Sequence, residues 1–229
     1  MSDIAQFIAA MPKAELHVHI EGTIEADLLL AMADRNGIVL PYKSAADILS
    51  GQNTGKSDPK QNLDSFIEAL DICRNVLRQG QDYEDMTYGY LKRCQVENIV
   101  YAEIMFDPQV GLRHGVGIET QLEAMQSGTR AGARDFGVEV QWIMNFQRDR
   151  SAEEALDILE AVRPCKDQIV GVGLDNPERP NFPDIFAGVF SAAEKDGYRL
   201  TSHCDVHISN SIQHIRGCIE ILGVERIDH

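Results

Sequence analysis

Residues 14–22, Ala14-Glu15-Leu16-His17-Val18-His19-Ile20-Glu21-Gly22, set two imidazoles two positions apart in a short apolar run. From Glu15 to Ile20 the run has the pattern of a β-strand, and side chains at i and i+2 of a strand share a face. His17 and His19 therefore point the same way, as they must if one strand is to offer two nitrogens to one metal ion. Glu21 continues the alternation and Gly22 marks the passage into a loop, which puts a carboxylate above the metal at the strand's end. Two ordinary core histidines would each need a hydrogen-bond partner on that buried face, so the metal reading is the stronger.

Outward from this strand, Ser2 or Asp3 caps a short helix that ends before Pro12. Ala26 to Asn36 reads as a helix closed by Gly37. Residues 40–60, with Pro41, Gly51, Gly55 and Pro59, form an irregular excursion, and Leu63 to Val76 reads as an amphipathic helix. This helical excursion around 40–80 has the character of a lid. Beyond it the pattern is regular. Helices Tyr83–Glu97, Glu119–Phe136, Ala152–Val162, Asp184–Asp196 and Asn210–Leu222 alternate with strands Ile99–Phe106, Val138–Phe146, Ile169–Leu174, Arg199–His203 and a last fragment, Arg226–His229. Such alternation implies a parallel sheet with helices outside.

The polar residues fall at one end of these units. His17 and His19, Glu103 and Asp107, Asn145, Asp175, His203 and His229 all lie at or near the C-terminal ends of their strands, where barrel enzymes build active sites. A doubly wound sheet is the competing architecture, but no Gly-rich phosphate turn follows the first strand. The expected fold is an α/β (β/α)8 TIM barrel. Residues 1–229 would then be one incomplete catalytic domain containing five strands and the start of a sixth. A barrel needs eight strands, so the sequence reads as part of a longer protein.

Composition narrows the partners. A chain of 229 residues that is 44% hydrophobic can bury one large core, while a formal net charge of −15 argues against a polyanionic partner. A small, neutral or weakly charged ligand is expected, and no nucleic acid. Cys73, Cys94, Cys165, Cys204 and Cys218 show no CxxC spacing, and their odd number fits no closed disulfide framework. Reduced thiols in a cytoplasm are the simplest account. The apolar stretch Ile4 to Met11 lacks a basic flank, and no run is long enough to span a bilayer. Oligomeric state leaves no readable mark.

His203 closes the strand Tyr198-Arg199-Leu200-Thr201-Ser202-His203 and provides a third imidazole across the barrel from His17 and His19. Three protein ligands with an open position define a catalytic rather than a structural zinc site. His229, on the next strand round, can orient a water at that metal or accept its proton.

The stretches Met11 to Glu25, Ala102 to Gln109, Val172 to Asp175 and Arg226 to His229 resemble the adenosine/adenine deaminase family of the amidohydrolase superfamily. Glu21-Gly22-Thr23 and Phe106-Asp107-Pro108-Gln109 are similar to its adenine deaminase branch. The resemblance implies a barrel of the metal-dependent hydrolase type with one Zn2+ per chain, held by His17, His19, His203 and an aspartate from a later strand. It also implies that His229 positions hydroxide for hydrolytic loss of ammonia at C6 of a purine. In the family a glutamate three residues after the third histidine protonates the ring. Here His203 is followed by Cys204-Asp205-Val206, so the glutamate position holds Val206 and Asp205 is the candidate proton shuttle; its ordinary alternative is to cap the following helix.

Glu21, Asp175, Asn176 and Glu178 are the candidate substrate-binding residues. The ordinary alternatives are that Glu21 ties down the Gly22 loop and that the others belong to a solvated loop bounded by Pro177 and Pro180. His114, His207 and His214 lack partner spacing and read as surface residues, and Cys204 reads as packing. Two further readings stay open: a PHP-type metal-dependent phosphoesterase, which also opens on HxH, and a purine-binding relative impaired in catalysis by the altered turn after His203.

Overall fold

The computed structural model describes residues 3–52, 59–176, 183–204 and 209–229, excluding the side chains of 49–52 and 59–66. Helix α1 (Asp3–Ala10) precedes strand β1 (Lys13–His19), and a 3-10 turn at Ile20–Thr23 leads into α2 (Ala26–Arg35). Helices α3 (Ala45–Gln52), α4 (Pro59–Asn75) and α5 (Gly80–Glu97) come before β2 (Ile99–Phe106). The chain continues through α6 (Pro108–Arg113), α7 (Ile118–Phe136), β3 (Glu139–Gln147), α8 (Ala152–Val162) and β4 (Gly171–Asp175). It ends with α9 (Ala187–Lys195), β5 (Arg199–Ser202), α10 (Ser211–Glu220) and β6 (Arg226–Ile227).

All six described strands are parallel and lie side by side in chain order, β1-β2-β3-β4-β5-β6. A doubly wound sheet reverses its order at a switch point. Here there is no reversal, and the curled six-stranded sheet with its helices is part of a (β/α)8 barrel. Because parallel strands all end on the same rim, every residue at a strand's C-terminus is delivered to one place.

Local chemistry sets the element ends. Gln79 and Asp82 form a reciprocal capping box at the start of α5, and Ser151 Oγ accepts the Glu154 amide at the start of α8. Helix α5 stops on Asn98 at φ +57°, and α7 on Gly137 at φ +72°. The two helices pack closely because α7 presents glycines to α5. A Cβ at Gly132 would come within 2.4 Å of Leu91, which is fully buried. Burying such a leucine contributes about 1.5–3 kcal/mol. On the sheet, Gly173 leaves room for Asn145, whose Oδ1 would lie 2.1 Å from an added Cβ.

Several boundaries differ from expectation. The first strand stops at His19, and Ile20 and Glu21 enter a 3-10 turn rather than continuing the strand. Glu21 therefore leaves the His17/His19 alternation. The excursion contains a helix at Ala45–Gln52, and a short helix follows Asp107, with Pro108 at its first position where a missing N–H costs nothing. The segment from Asp184 begins as a 3-10 turn at Pro183–Phe186 before α9. His214 is not a surface residue: it is 1% exposed on α10, whose inner face also buries Gly217 and Cys218.

Candidate metal centre

The ends of β1 and β5 bring His17, His19 and His203 together. His203 Nε2 lies 2.9 Å from His19 Nε2 and 3.0 Å from His17 Nε2. An imidazole nitrogen has either one lone pair or one proton, so it cannot form ordinary hydrogen bonds with both neighbours. The alternative is that all three lone pairs aim at a common centre. Ligand nitrogens of a tetrahedral zinc site with Zn–N bonds of about 2.0–2.1 Å are about 3.3 Å apart, close to the spacing seen. The donor set fits a divalent ion with nitrogen ligands.

Electrostatics keep the rings ready to ligate. Burial, followed by the repulsion of its neighbouring imidazoles, drives His203 well below the ordinary histidine range. Burial likewise brings His19 down to about 4 and lowers His17. Neutral imidazoles are the ligating form. His203 is held at both ends of its peptide, since its amide donates to the Leu174 carbonyl at 2.9 Å and its carbonyl accepts from Arg148 Nη2.

The His229 ring is 5.5 Å from that of His17 and 5.2 Å from that of His203, beside the trio but outside the Nε2 cluster. Asp228, next to it, faces the outer nitrogens of the same two rings, at 4.0 Å from His17 Nδ1 and 3.6 Å from His203 Nδ1.

A buried charge cluster lies behind His19. Arg74, 5% exposed on α4, donates from Nη2 to Asp107 Oδ2 at 2.5 Å, and Gln147 Nε2 donates to the same oxygen at 2.9 Å. The Asp107 amide donates to Glu21 Oε1 at 3.1 Å. Burial, then the Asp107 charge, push the Glu21 acid up to about 7, and the same causes raise Asp175 well above the usual carboxylate range. His19, Asp107 and Asp175 also approach one another closely enough to suggest a second cation position. The Arg74 guanidinium already supplies the cation there. Sequence reasoning missed Arg74 altogether, because a lone arginine on an amphipathic helix gives no sign of a partner 33 residues away.

The structure thus brings His17, His19, His203 and His229 to one rim and buries Glu21 and Asp175 beside them. Asp175 Oδ2 is 3.8 Å from His19 Nδ1 and accepts from Asn145 Nδ2 at 3.3 Å. Asn176 turns outward at φ +66° and donates to Asp149 at 2.8 Å. Asp205, Val206, His207, Pro177, Glu178 and Pro180 lie outside the described residues. Cys204 is fully buried with its Sγ 3.5 Å from that of Cys218, in keeping with packing.

The family model described as adenosine deaminase matches residues 12–229. An uncharacterized deaminase of Schizosaccharomyces pombe is 43% identical over 100% of this chain and 66% of its own length. The crystal structure of an adenine deaminase from Arthrobacter aurescens superimposes with a TM-score of 0.85 at 35% identity, over 96% of this chain and 65% of that one. An amidohydrolase from Burkhoderia ambifaria, solved with bound zinc, superimposes with a TM-score of 0.84 at 24% identity, over 100% of this chain and 61% of that one. The chain spans just under two thirds of the length of these relatives.

Proposed function

The chain belongs to the adenosine deaminase family, and from that premise we propose that it forms part of a zinc-dependent aminohydrolase of 6-aminopurines. Its favoured substrate is adenine, converted with water to hypoxanthine and ammonia. The observation that carries this reading is the convergence of three neutral imidazoles, with the Nε2 atoms of His17 and His19 each within 3.0 Å of His203 Nε2, and a fourth imidazole beside them.

In this reading His17, His19 and His203 hold the ion, which supplies the Lewis acidity that makes water a nucleophile near neutral pH. His229 orients the attacking water and accepts its proton. Asp205 returns a proton to the purine ring so that charge does not accumulate on N1. On the substrate side, Glu21 offers an acid that burial pushes up to about 7, and its Oε2 has no hydrogen-bond partner among the described residues, so its protonated form can donate a hydrogen bond to a purine edge. Asp175 backs His19, and Asn176 and Glu178, which follow it in the sequence, are the remaining candidates for contact with substrate.

Adenine is placed ahead of adenosine because the Arthrobacter aurescens relative is an adenine deaminase. Zinc is favoured by the all-imidazole donor set, and the Burkholderia relative holds that metal. None of the five cysteines forms a disulfide and, among the described residues, no helix is long and apolar enough to cross a membrane. Reduced thiols support a cytoplasmic setting.

Ammonia release from adenine, adenosine and an N6-substituted purine, measured with zinc and with chelator, tests the proposal. Release from adenine that stops with chelator and returns with zinc is expected. Zinc-loaded protein that releases no ammonia from any 6-aminopurine would leave only the purine-binding alternative.

A further inference from the structure

We propose that Asp228 is a positioning residue that accepts the outer Nδ1–H of both His17 and His203 and so aims their Nε2 atoms at one ion. The inference rests on the metal reading above and concerns how the site is held. An imidazole that ligates through Nε2 must carry its proton on Nδ1, and that proton needs an acceptor, since this partner fixes both tautomer and ring orientation. His203 Nδ1 is buried and has no hydrogen-bond partner among the described residues. Asp228 Oδ2 lies 3.6 Å from it, and the other oxygen of the same carboxylate lies 4.0 Å from His17 Nδ1. A rotation of each ring by about 1 Å at Nδ1 brings both contacts to hydrogen-bond length.

The carboxylate is built into its place. Its side chain is 1% exposed, which leaves little room for water to stand in for the imidazoles. Thr201 Oγ1 donates to Oδ2 at 2.7 Å and Arg226 Nε donates to Oδ1 at 2.8 Å. Arg226 in turn pairs with Glu103. Each carboxylate oxygen accepts about two hydrogen bonds, so each keeps one site for an imidazole after Thr201 and Arg226 are served. The backbone is pinned as well, because the Asp228 amide donates to the Ser202 carbonyl at 3.0 Å, one residue before His203. His19 has a separate carboxylate behind it, Asp175 at 3.8 Å, so one acid serves one ring and Asp228 serves two.

The test is zinc affinity, measured on the purified protein by competition with a chromophoric chelator, alongside the thermal unfolding midpoint of the metal-free form. Asp228→Asn keeps the shape but replaces one acceptor oxygen with a donor that faces an N–H. It is expected to weaken zinc binding by about 10–100-fold, with the metal-free midpoint little changed. Thr201→Val, which loosens Oδ2 and leaves every charge in place, is expected to weaken zinc by a smaller factor and decides the matter if Asp228→Asn does not fold. Zinc affinity within twofold of wild type in the folded variants overturns the proposal. His203→Ala separates the two levels. Lost zinc in His203→Ala with retained affinity in Asp228→Asn removes only the role of Asp228, whereas wild-type zinc affinity in His203→Ala removes the metal reading itself.

Discussion

Replacing Glu21 with Gln separates charge from shape at a deeply buried carboxylate. Glu21 is 1% exposed, its Oε1 accepts the Asp107 amide at 3.1 Å, and burial with the Asp107 charge moves its acid from the ordinary 4.5 to about 7. In the unfolded chain the same group ionises at its ordinary value. Between the two, the folded protein keeps a proton that the unfolded chain has released, so stability falls as pH rises through this window. The contribution is fully present below about pH 4.5 and is lost above about pH 7. Over roughly two to three pH units at about 1.4 kcal/mol per unit, the loss amounts to about 3 kcal/mol. Gln has nearly the same shape, keeps an acceptor for the Asp107 amide and does not titrate. The unfolding free energy of Glu21→Gln is therefore expected to match wild type near pH 4.5 and to exceed it by about 3 kcal/mol at pH 8. Urea unfolding of both proteins at the two pH values, with chelator present, gives the comparison. Titration of the histidines is common to both proteins and cancels in the difference. A difference that does not change with pH would refute the reasoning.

Other outcomes follow from the same geometry. Arg74→Met leaves Asp107 as an uncompensated buried charge and is expected to cost about 3–5 kcal/mol at pH 8 in chemical unfolding, a loss of under about 1 kcal/mol being contrary to the structure. His229→Ala is expected to lower turnover of adenine by about 10²–10⁴-fold while zinc content stays at the wild-type level, and unchanged turnover would remove it from the proton path. Asp205→Asn is expected to slow turnover by about 10²-fold or more, and a near-wild-type rate would leave Asp205 as a helix cap.

The barrel was legible because its signal is local and repeated. Ile99–Phe106 and Ala152–Val162 have the bounds expected from periodicity alone, and sequential parallel order follows from strands separated by helices. The convergence of the imidazoles was legible for a similar reason: the i, i+2 spacing of His17 and His19 encodes a shared face, and His203 and His229 lie at the ends of successive strands. Long-range pairing was not legible. Arg74 and Asp107 meet across the sheet end, and nothing in Leu63 to Val76 marks an arginine as buried rather than solvated. Glu21 was misplaced because the alternation of a short strand does not show where it gives way to a 3-10 turn. Pro108 after Asp107 is a helix-start signal, and a helix begins there. Asp228 had no signal of its own, since its approach to His203 depends on the register that sets Ser202 opposite Ile227.

The central claim is that three imidazoles share one ion, and metal stoichiometry tests it most directly. Elemental analysis of the purified protein after equilibration with zinc should return one equivalent per chain for wild type and none for His17→Ala, His19→Ala or His203→Ala. One full equivalent held by any of these three variants would contradict the account.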